Sequence, residues 1–455
     1  MSKIHTEYLE LVNDTDTPVS IFEKIRSEYQ DCFLFESVLK GEQVGRYSLI
    51  GFNALETIKS QDALKDLEAR LEGLASSSQD LPFFHKGFVG FLPFETFEEI
   101  EPSVKAKSKD DAFLYLAGNL IVFDHVKQKL YLIQNKLDEK AASNLESIQA
   151  LIDKPSSLTR LDFDQSLVDK DHGFYSNTGE ATFLEMVEKS KKHIHEGDVF
   201  QIVPSHKFIK DLDKAIDPFL IYRILRTVNP SPYLFLFNFE GKTLVGSSPE
   251  MMTKSVHTAE GIKAQINPIA GTYRRTGDLA KDEELKEKLL NDKKELAEHV
   301  MLIDLARNDL AKVCDKVDVP EKIFVETYSH VMHIVSHVTG IIREMSAAKS
   351  VVDLVRAAFP AGTLSGAPKI EAIKILMNIE QEARGYYGGA MGYFGLDGTC
   401  DTAIMIRTML VEDKKITIQA GAGVVADSDP QKEWQETFNK ANALIDVVSL
   451  AQKIS

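Results

Sequence analysis

The chain has 455 residues, 44% of them apolar, enough for a large core and, by length, for two or three structural units. Its 69 acidic against 53 basic side chains give a formal charge of −16, which sets nucleic acid and anionic membranes aside as partners and requires a local cation wherever an anionic small molecule binds. Cys32, Cys314 and Cys400 lie far apart with no C-x-x-C spacing, no apolar signal core follows Met1, and no apolar run reaches membrane-span length, so a cytoplasmic protein is expected.

The first part of the chain is β-rich. "CFLFESVL" and "GRYSLIGF" are predicted strands joined by a Gly-containing turn, the charged stretch "SQDALKDLEARLEGLAS" is a predicted helix, and "HKGFVGFL" is a further strand. Between about Asn135 and Asp171 the sequence turns polar and loses its period. The expected organisation is therefore an N-terminal region over 1–150, a linker over 151–178 and a second unit over 179–455. That unit opens with the helix "TFLEMVEKSKKHIHEG" and the strand "DVFQIVPSHKF", followed by strands around "YLFLFNF", "TLVGSS" and "GIKAQI". Long helices are expected from Asp282 to Val313 and from Lys369 to Gln381, then two strands and a closing helix from Pro430. Strands interspersed with helices, without strict alternation, predict an α+β fold of mixed layers.

Within "NPIAGTYRR", a plain Ala270 precedes Gly271, Thr272 and two arginines, a turn suited to holding an anion around a small side chain. Two carboxylate pairs stand out. Glu295 and Glu298 in "KKELAEHVMLIDLARNDL", and Glu433 and Glu436 in "DPQKEWQETFNKA", are each three apart, so each pair shares a helical face. If the faces meet, they make an oxygen-rich site suited to Mg2+; taken alone, each pair also fits a solvated helix surface. A di-iron bundle is disfavoured because the chain has no Glu-x-x-His. Gln201 shares a strand face with Val199 and Val203, which is either a solvent face or a buried one that must satisfy an amide. Arg407 interrupts the apolar run "TAIMIRTMLV" and needs a carboxylate, a pocket or solvent. His333, in "YSHVMHIVSHV", is one of three neighbouring histidines, and "GTLSGAPKIEAI" sets a Gly- and Ser-containing loop before a helix start.

In order, "GDVFQIVPS", "NPSPYLFLF", "SSPEMM", "NPIAGT", "AEHVMLIDLARNDL", "YSHVMHIVSHV", "GTLSGAPK", "YYGGAMGYF", "AIMIRT" and "QAGAGVVADSDPQKEWQET" resemble the chorismate-utilising enzymes, and within them the anthranilate synthase component I branch. The resemblance extends into the first region through "FLFESVLKGEQVGRYSLIG". It implies a layered α/β/β/α sandwich with the active site between two sheets. Relatives that make aminodeoxychorismate carry an attacking lysine where this chain has Ala270, and isochorismate- or salicylate-forming relatives carry a lysine base where it has Gln201. The resemblance therefore implies amination of chorismate by free ammonia and loss of pyruvate to give anthranilate, the first step of tryptophan biosynthesis. It implies Mg2+ on Glu298 and Glu436, with Glu295 and Glu433 completing the shell directly or through water. Arg407 and Tyr387, with the backbone at Gly421 and Gly423, would hold the enolpyruvyl carboxylate. Ala270, Gly271 and Thr272 would line the substrate pocket, and His333, Thr363 and Gln201 the catalytic centre, with His333 as acid–base near the departing hydroxyl.

Asn267, Ala306 and Leu234 stand where many relatives have Arg, Gly and Met. The settings of the cysteines, "DCF", "VCD" and "TCD", offer no Gly-flanked glutaminase nucleophile, so a glutamine amidotransferase subunit is expected as partner in a hetero-oligomer, or ammonia is used directly. Glu36 and Ser37, facing Pro232, Tyr233 and Leu234, match the family's site for L-tryptophan as feedback inhibitor; a strand end with a solvent-facing carboxylate is the plainer alternative. The rival functions are aminodeoxychorismate synthase component I, which Ala270 opposes, and a non-catalytic tryptophan-binding regulator, which four retained glutamates oppose.

Overall fold

The computed structural model of the chain describes residues 2–37, 45–76, 81–163, 172–327 and 331–454. The described residues form two large sheets. One has twelve strands, running from Tyr175–Ser176 through Ser205–Asp211, Lys415–Gly421, Thr408–Glu412, Lys242–Ser248, Tyr233–Phe239, Cys32–Glu36, Tyr47–Phe52, Asn119–Asp124, Lys129–Lys136 and Ser2–Val12 to Leu74–Ser76. The other has ten, in the order Ile269–Arg274, Val331–Ile342, Gly261–Ile266, Met251–Thr258, Cys400–Ile404, Ala390–Gly395, Gly87–Leu92, Ala112–Leu116 and Glu56–Ser60, with Cys314–Thr327 also paired to Val331–Ile342.

Alternation along the strands decides the layering. In "CFLFE" and "YLFLFNF", Phe33, Phe235, Phe237 and Phe239 turn inward to the space between the sheets, while Leu34, Leu234 and Leu236 turn outward to a helical layer. Across the interior, Tyr115 stacks on Phe237 with ring centroids 5.0 Å apart, and Phe91 meets Phe239 at 5.0 Å, so aromatic side chains from one sheet interlock with those from the other. On the outer face of the larger sheet, Ile21, Phe22, Ile148, Ile221 and Leu444 come from helices Pro18–Arg26, Leu145–Ile152, Pro218–Val228 and Pro430–Ile454. Helices Ala63–Gly73, Ala347–Ala358 and Lys369–Ile379 pack their apolar faces into the cluster that also holds the inner faces of both sheets. The α+β reading and the α/β/β/α sandwich are borne out.

Strands from the first 150 residues interleave with later ones in both sheets: Cys32–Glu36 pairs with Tyr233–Phe239, and Gly87–Leu92 with Ala390–Gly395. The helix Leu145–Ile152 runs across the expected start of the linker, and residues 164–171 of that segment lie outside the described residues. Two elements divide where one was expected. Helices Leu279–Leu290 and Lys293–Ala311 replace a single helix, because Asp292 leaves the helical conformation and its side chain accepts the N–H groups of Lys294 and Glu295 as a cap. The strand predicted for "DVFQIVPSHKF" breaks before Pro204 into Gln201–Ile202, paired with Gly366–Ala367, and Ser205–Asp211, paired with Lys415–Gly421.

Candidate functional site

Of the connections that carry the chain from one sheet to the other, two deliver a charged residue into the split between them. Lys242–Ser248 in the larger sheet passes through Pro249 and Glu250 to Met251–Thr258 in the smaller; Cys400–Ile404 in the smaller passes through Arg407, at φ 50°, to Thr408–Glu412 in the larger. A side chain at such a crossing leaves the strict in–out alternation of a strand, which lets polar groups point into a cleft without disturbing either core.

The four glutamates come from the N-terminal turns of two helices. Glu295 lies in the first turn of Lys293–Ala311, Glu433 in the first turn of Pro430–Ile454, and Glu298 and Glu436 one turn further along. The positive ends of both helices offset part of the repulsion among four carboxylates. Burial raises the Glu295 carboxyl above its usual range, followed by the charges of Glu298 and Asp292, with Glu436 on the opposing helix adding to them. Glu433 is likewise raised by burial, against a hydrogen bond from Ser428, and by Glu436. The two pairs therefore feel each other across one cleft. An all-oxygen donor set of four carboxylates, only one of them ion-paired among the described residues (Glu436 with Lys440), keeps a net negative charge and fits Mg2+. Among the described residues the one set of three donors with ligand atoms within 4.8 Å is His193, Glu196 and Asp198, at the C-terminal end of helix Glu180–Glu196. No three of the cleft glutamates approach that closely, so the shell of a cation held there would include water, as Mg2+ favours.

Gln201 is buried, and its Nε2 donates to Glu298 Oε1 at 3.2 Å, which resolves its strand face as an inward one. A Cβ on Gly423 would lie 2.9 Å from the same Nε2, so the bare backbone there is what lets the amide reach its carboxylate. Gly421 brings its α-carbon close to the Tyr387 hydroxyl, 3.1 Å from where a Cβ would stand. Among the described residues the Arg407 guanidinium makes no hydrogen bond or ion pair; burial presses on its charge, while Tyr387 and Glu436 favour it. A half-buried guanidinium without a bonded carboxylate, beside a phenol and the glycine backbone at 421 and 423, is arranged to receive an anion.

On the other wall, strand Ile269–Arg274 breaks register at Gly271, which has φ +61° and no room for a Cβ against Leu289 and Glu295 Oε2. The bulge sets the backbone beside Ala270 against a cleft glutamate. Gly271 O accepts from His333 Nδ1 at 2.9 Å, and Thr272 Oγ1 lies 3.1 Å from the same nitrogen. The carbonyl fixes the proton on Nδ1, so neutral His333 carries its lone pair on Nε2. Burial lowers the His333 pKa, with Arg407 acting in the same direction, and keeps the ring neutral. The arginines of "NPIAGTYRR" do not serve the turn as an anion site would require: Arg275 pairs with Asp282 at 3.0 Å and Arg274 is exposed.

Thr363, in the short helix Gly362–Ser365, donates to Glu250 Oε1 at 2.8 Å. Glu250 is the residue that motif reading passed over. Burial pushes its carboxyl up to about 7, against the Thr363 hydrogen bond and the charge of Lys440. With Thr363 it borders an open cavity of ≈ 400 Å³, further lined by Met251, Pro268, Leu302, Ala306 and Ile404. Lys440 was missed as well: it pairs with Glu436 at 2.8 Å and donates to Gly421 O at 3.0 Å, tying the glutamate helix to the glycine strand. Its i, i+4 spacing from Glu436 was the available signal; Glu250 had only its place in "SSPEMM".

The residues matched to the tryptophan site also come together. Leu234 is the registered partner of Glu36 across two strands, Pro232 is buried, and Tyr233 donates to Asp401 Oδ1 at 2.9 Å. The Glu36 carboxylate is buried and accepts from Tyr222 Oη at 2.6 Å and from Arg226 at 3.0 and 3.1 Å, so it is not solvent-facing. Beside it, Ser37 Oγ is buried with no hydrogen-bond partner among the described residues.

A family model described as chorismate binding enzyme matches residues 30–446. The chain is 40% identical to the anthranilate synthase component 1 of Acinetobacter calcoaceticus, over 98% of this chain and 95% of that one, and 39% identical to the protein of the same name from Synechocystis sp., over 97% and 95%. Among solved structures, anthranilate synthase component I from Streptococcus pneumoniae superposes with a TM-score of 0.75 at 32% identity, over 90% of this chain and 94% of that one. The menaquinone-specific isochorismate synthase from Escherichia coli superposes at 0.73 over 98% and 95%, but at 18% identity that is a likeness of fold alone. A match that takes in both sheets, both glutamate helices and both crossings shows that the chain belongs to the chorismate-binding enzyme family.

Proposed function

We propose that the chain is the synthase subunit that aminates chorismate with ammonia and releases pyruvate to give anthranilate, with Mg2+ held by Glu298 and Glu436 and, directly or through water, by Glu295 and Glu433. The observation that carries this reading is Ala270: beside a bulge that abuts Glu295, the chain offers a methyl group and no amine, so the nitrogen must come from solution. Bound Mg2+ would neutralise the ring carboxylate and act as template and Lewis acid.

Arg407, Tyr387 and the N–H groups at Gly421 and Gly423 hold the enolpyruvyl carboxylate and fix the ring's orientation. As ammonia bonds to ring carbon 2, the carbon–oxygen bond of the ring hydroxyl breaks, and the hydroxyl leaves as water with a proton from Glu250. That carboxyl, raised to about 7 and steadied by Thr363, retains a proton near neutrality. The ammonium formed by the addition returns a proton to Glu250; His333, neutral with its lone pair on Nε2, then accepts the proton lost from carbon 2 as the ring bond to the enolpyruvyl oxygen breaks, and passes it to the departing enolate, which becomes pyruvate. Gln201 cannot serve as a base for water and instead steadies Glu298.

The nitrogen source follows from the cysteines. All three are buried, with thiols pushed up to about 12, 11 and 12 for Cys32, Cys314 and Cys400, the opposite of an activated glutaminase nucleophile. A separate glutamine amidotransferase subunit would supply ammonia from glutamine. Purified chain given chorismate and Mg2+ should form fluorescent anthranilate with an ammonium salt and none with glutamine until that subunit is added. Aminodeoxychorismate as the product, or no turnover of chorismate, overturns the reading.

A further inference from the structure

The strand Ser205–Asp211 places a fully buried imidazole, His206, under the first turns of the helix that carries Glu433 and Glu436. Its Nε2 lies 2.9 Å from Thr437 Oγ1, and its Nδ1 lies 2.8 Å from Ser176 Oγ. Its ring stacks on Trp434, the only tryptophan of the chain, with centroids 4.7 Å apart and planes 24° from parallel. Trp434 stands between the two glutamates in sequence, and Thr437 directly follows the second.

The hydrogen positions in this chain of contacts are determined by elimination. Thr437 Oγ1 donates to Trp434 O at 2.8 Å, so its oxygen is left to accept from His206 Nε2–H. Nδ1 then holds the lone pair and accepts from the Ser176 hydroxyl, whose oxygen in turn accepts the backbone N–H groups of Gly179 and Thr178 at 3.1 and 3.3 Å. One neutral tautomer satisfies every member, and Phe183, Phe208 and Phe438 close around the ring.

At 100° per residue, Trp434 and Thr437 occupy the helix face adjoining that of Glu433 and Glu436. Rolling or sliding the first turns of this helix would move both carboxylates together, and the His206 contacts oppose both motions. We propose that His206 is a positioning residue for the metal site: through Thr437 and Trp434 it fixes the rotation of the helix that presents Glu433 and Glu436 to the cation. It touches neither substrate nor cation. The proposal rests on the Mg2+ reading above.

The test uses the full chain without chorismate, titrated with Mg2+ and followed by calorimetry and by Trp434 fluorescence, with a melt for each variant. Loss of an outer partner of a metal ligand typically weakens metal binding about 10- to 100-fold. His206→Phe, which keeps the ring packing but neither hydrogen bond, and Thr437→Val, which removes the acceptor, are each expected to weaken Mg2+ binding by about tenfold or more. His206→Gln, whose amide nitrogen can reach the position of Nε2, should stay within about threefold of wild type by keeping that donor. Wild-type Mg2+ affinity in a folded His206→Phe or Thr437→Val protein overturns the proposal, as does a His206→Gln protein impaired as much as His206→Phe. If His206→Phe does not fold, Thr437→Val and His206→Gln decide between these outcomes. Absence of Mg2+ binding in the wild type would instead refute the metal reading itself, as would unaltered binding in Glu436→Gln.

Discussion

Replacing Glu250 by Gln should make the protein more stable and less active, and the two effects share one cause. Its carboxyl is held at about 7 against an ordinary 4.5 because burial opposes the charged form more than Thr363 and Lys440 favour it. Below pH 4.5 the group is protonated in both folded and unfolded chains and contributes no pH dependence. Between 4.5 and about 7 the folded chain keeps a proton that the unfolded chain has released, so stability falls as pH rises, and above about 7 the loss is complete. At about 1.4 kcal/mol per pH unit, the gap of roughly 2.5 units sets a ceiling of about 3 kcal/mol. Water in the adjoining cavity and the extra amide hydrogens that Gln brings reduce the net gain to about 2 kcal/mol. With an unfolding entropy of about 2 cal/mol/K per residue over 455 residues, that corresponds to about 2 °C in Tm.

The assay is a pair of melts of wild type and Glu250→Gln at pH 5 and pH 8.5. The variant's advantage should be small at pH 5 and grow by about 2 °C at pH 8.5, while anthranilate formation falls by about 10²- to 10⁴-fold, the usual contribution of a general acid. In the wild type, kcat should decline on the alkaline side as the Glu250 proton is lost. Thr363→Val removes the hydrogen bond that favours the charged form, so it should move that decline to higher pH. Identical pH dependence of the two Tm values would refute the buried-acid account. Activity within a few-fold of wild type would refute its catalytic part.

Glu298→Gln and Glu436→Gln each remove a charge from the metal site at constant size and should nearly abolish turnover; rates within a few-fold of wild type at saturating Mg2+ would remove these residues from the ligand set. Ala270→Lys should impair anthranilate formation and allow covalent attachment to the substrate ring, which intact-protein mass spectrometry would detect; an unchanged rate and no adduct would show that position 270 does not face the ring. Gly423→Ala places a methyl 2.9 Å from Gln201 Nε2 and should displace the amide from Glu298, raising the KM for chorismate several-fold with little change in Tm; unaltered steady-state kinetics would count against the role given to that amide. Ser37→Phe should relieve inhibition by tryptophan with little loss of activity, because bulk there fills the space beside an unsatisfied Ser37 hydroxyl and lies apart from the glutamates in sequence and in strand. A variant as sensitive as the parent, or a wild type not inhibited by millimolar tryptophan, refutes the regulatory reading and leaves the catalytic one standing.

What the sequence made legible is what depends on neighbours along the chain. The spacing of Glu295 with Glu298 and of Glu433 with Glu436 is local helical geometry, and "YLFLFNF" is legible as a strand, whose period the structure shows to put three phenylalanines on one face. The break at Asp292 was local too, but capping competed with a strong helical period and prevailed there. Glu250 belongs to another category. Its protonation depends on the chain crossing between sheets, on Thr363 from more than a hundred residues later and on Lys440 from later still, and no window around "SSPEMM" contains them. His206 has the same character, since its tautomer is set by Ser176 and Thr437 from opposite directions along the chain. The glutamates themselves were visible as residues, but the rotation of the helix that aims two of them depends on a strand that begins more than two hundred positions earlier. Residue type therefore names the chemistry available to this cleft, whereas the protonation and aim of each group come from contacts that exist only once both sheets have closed.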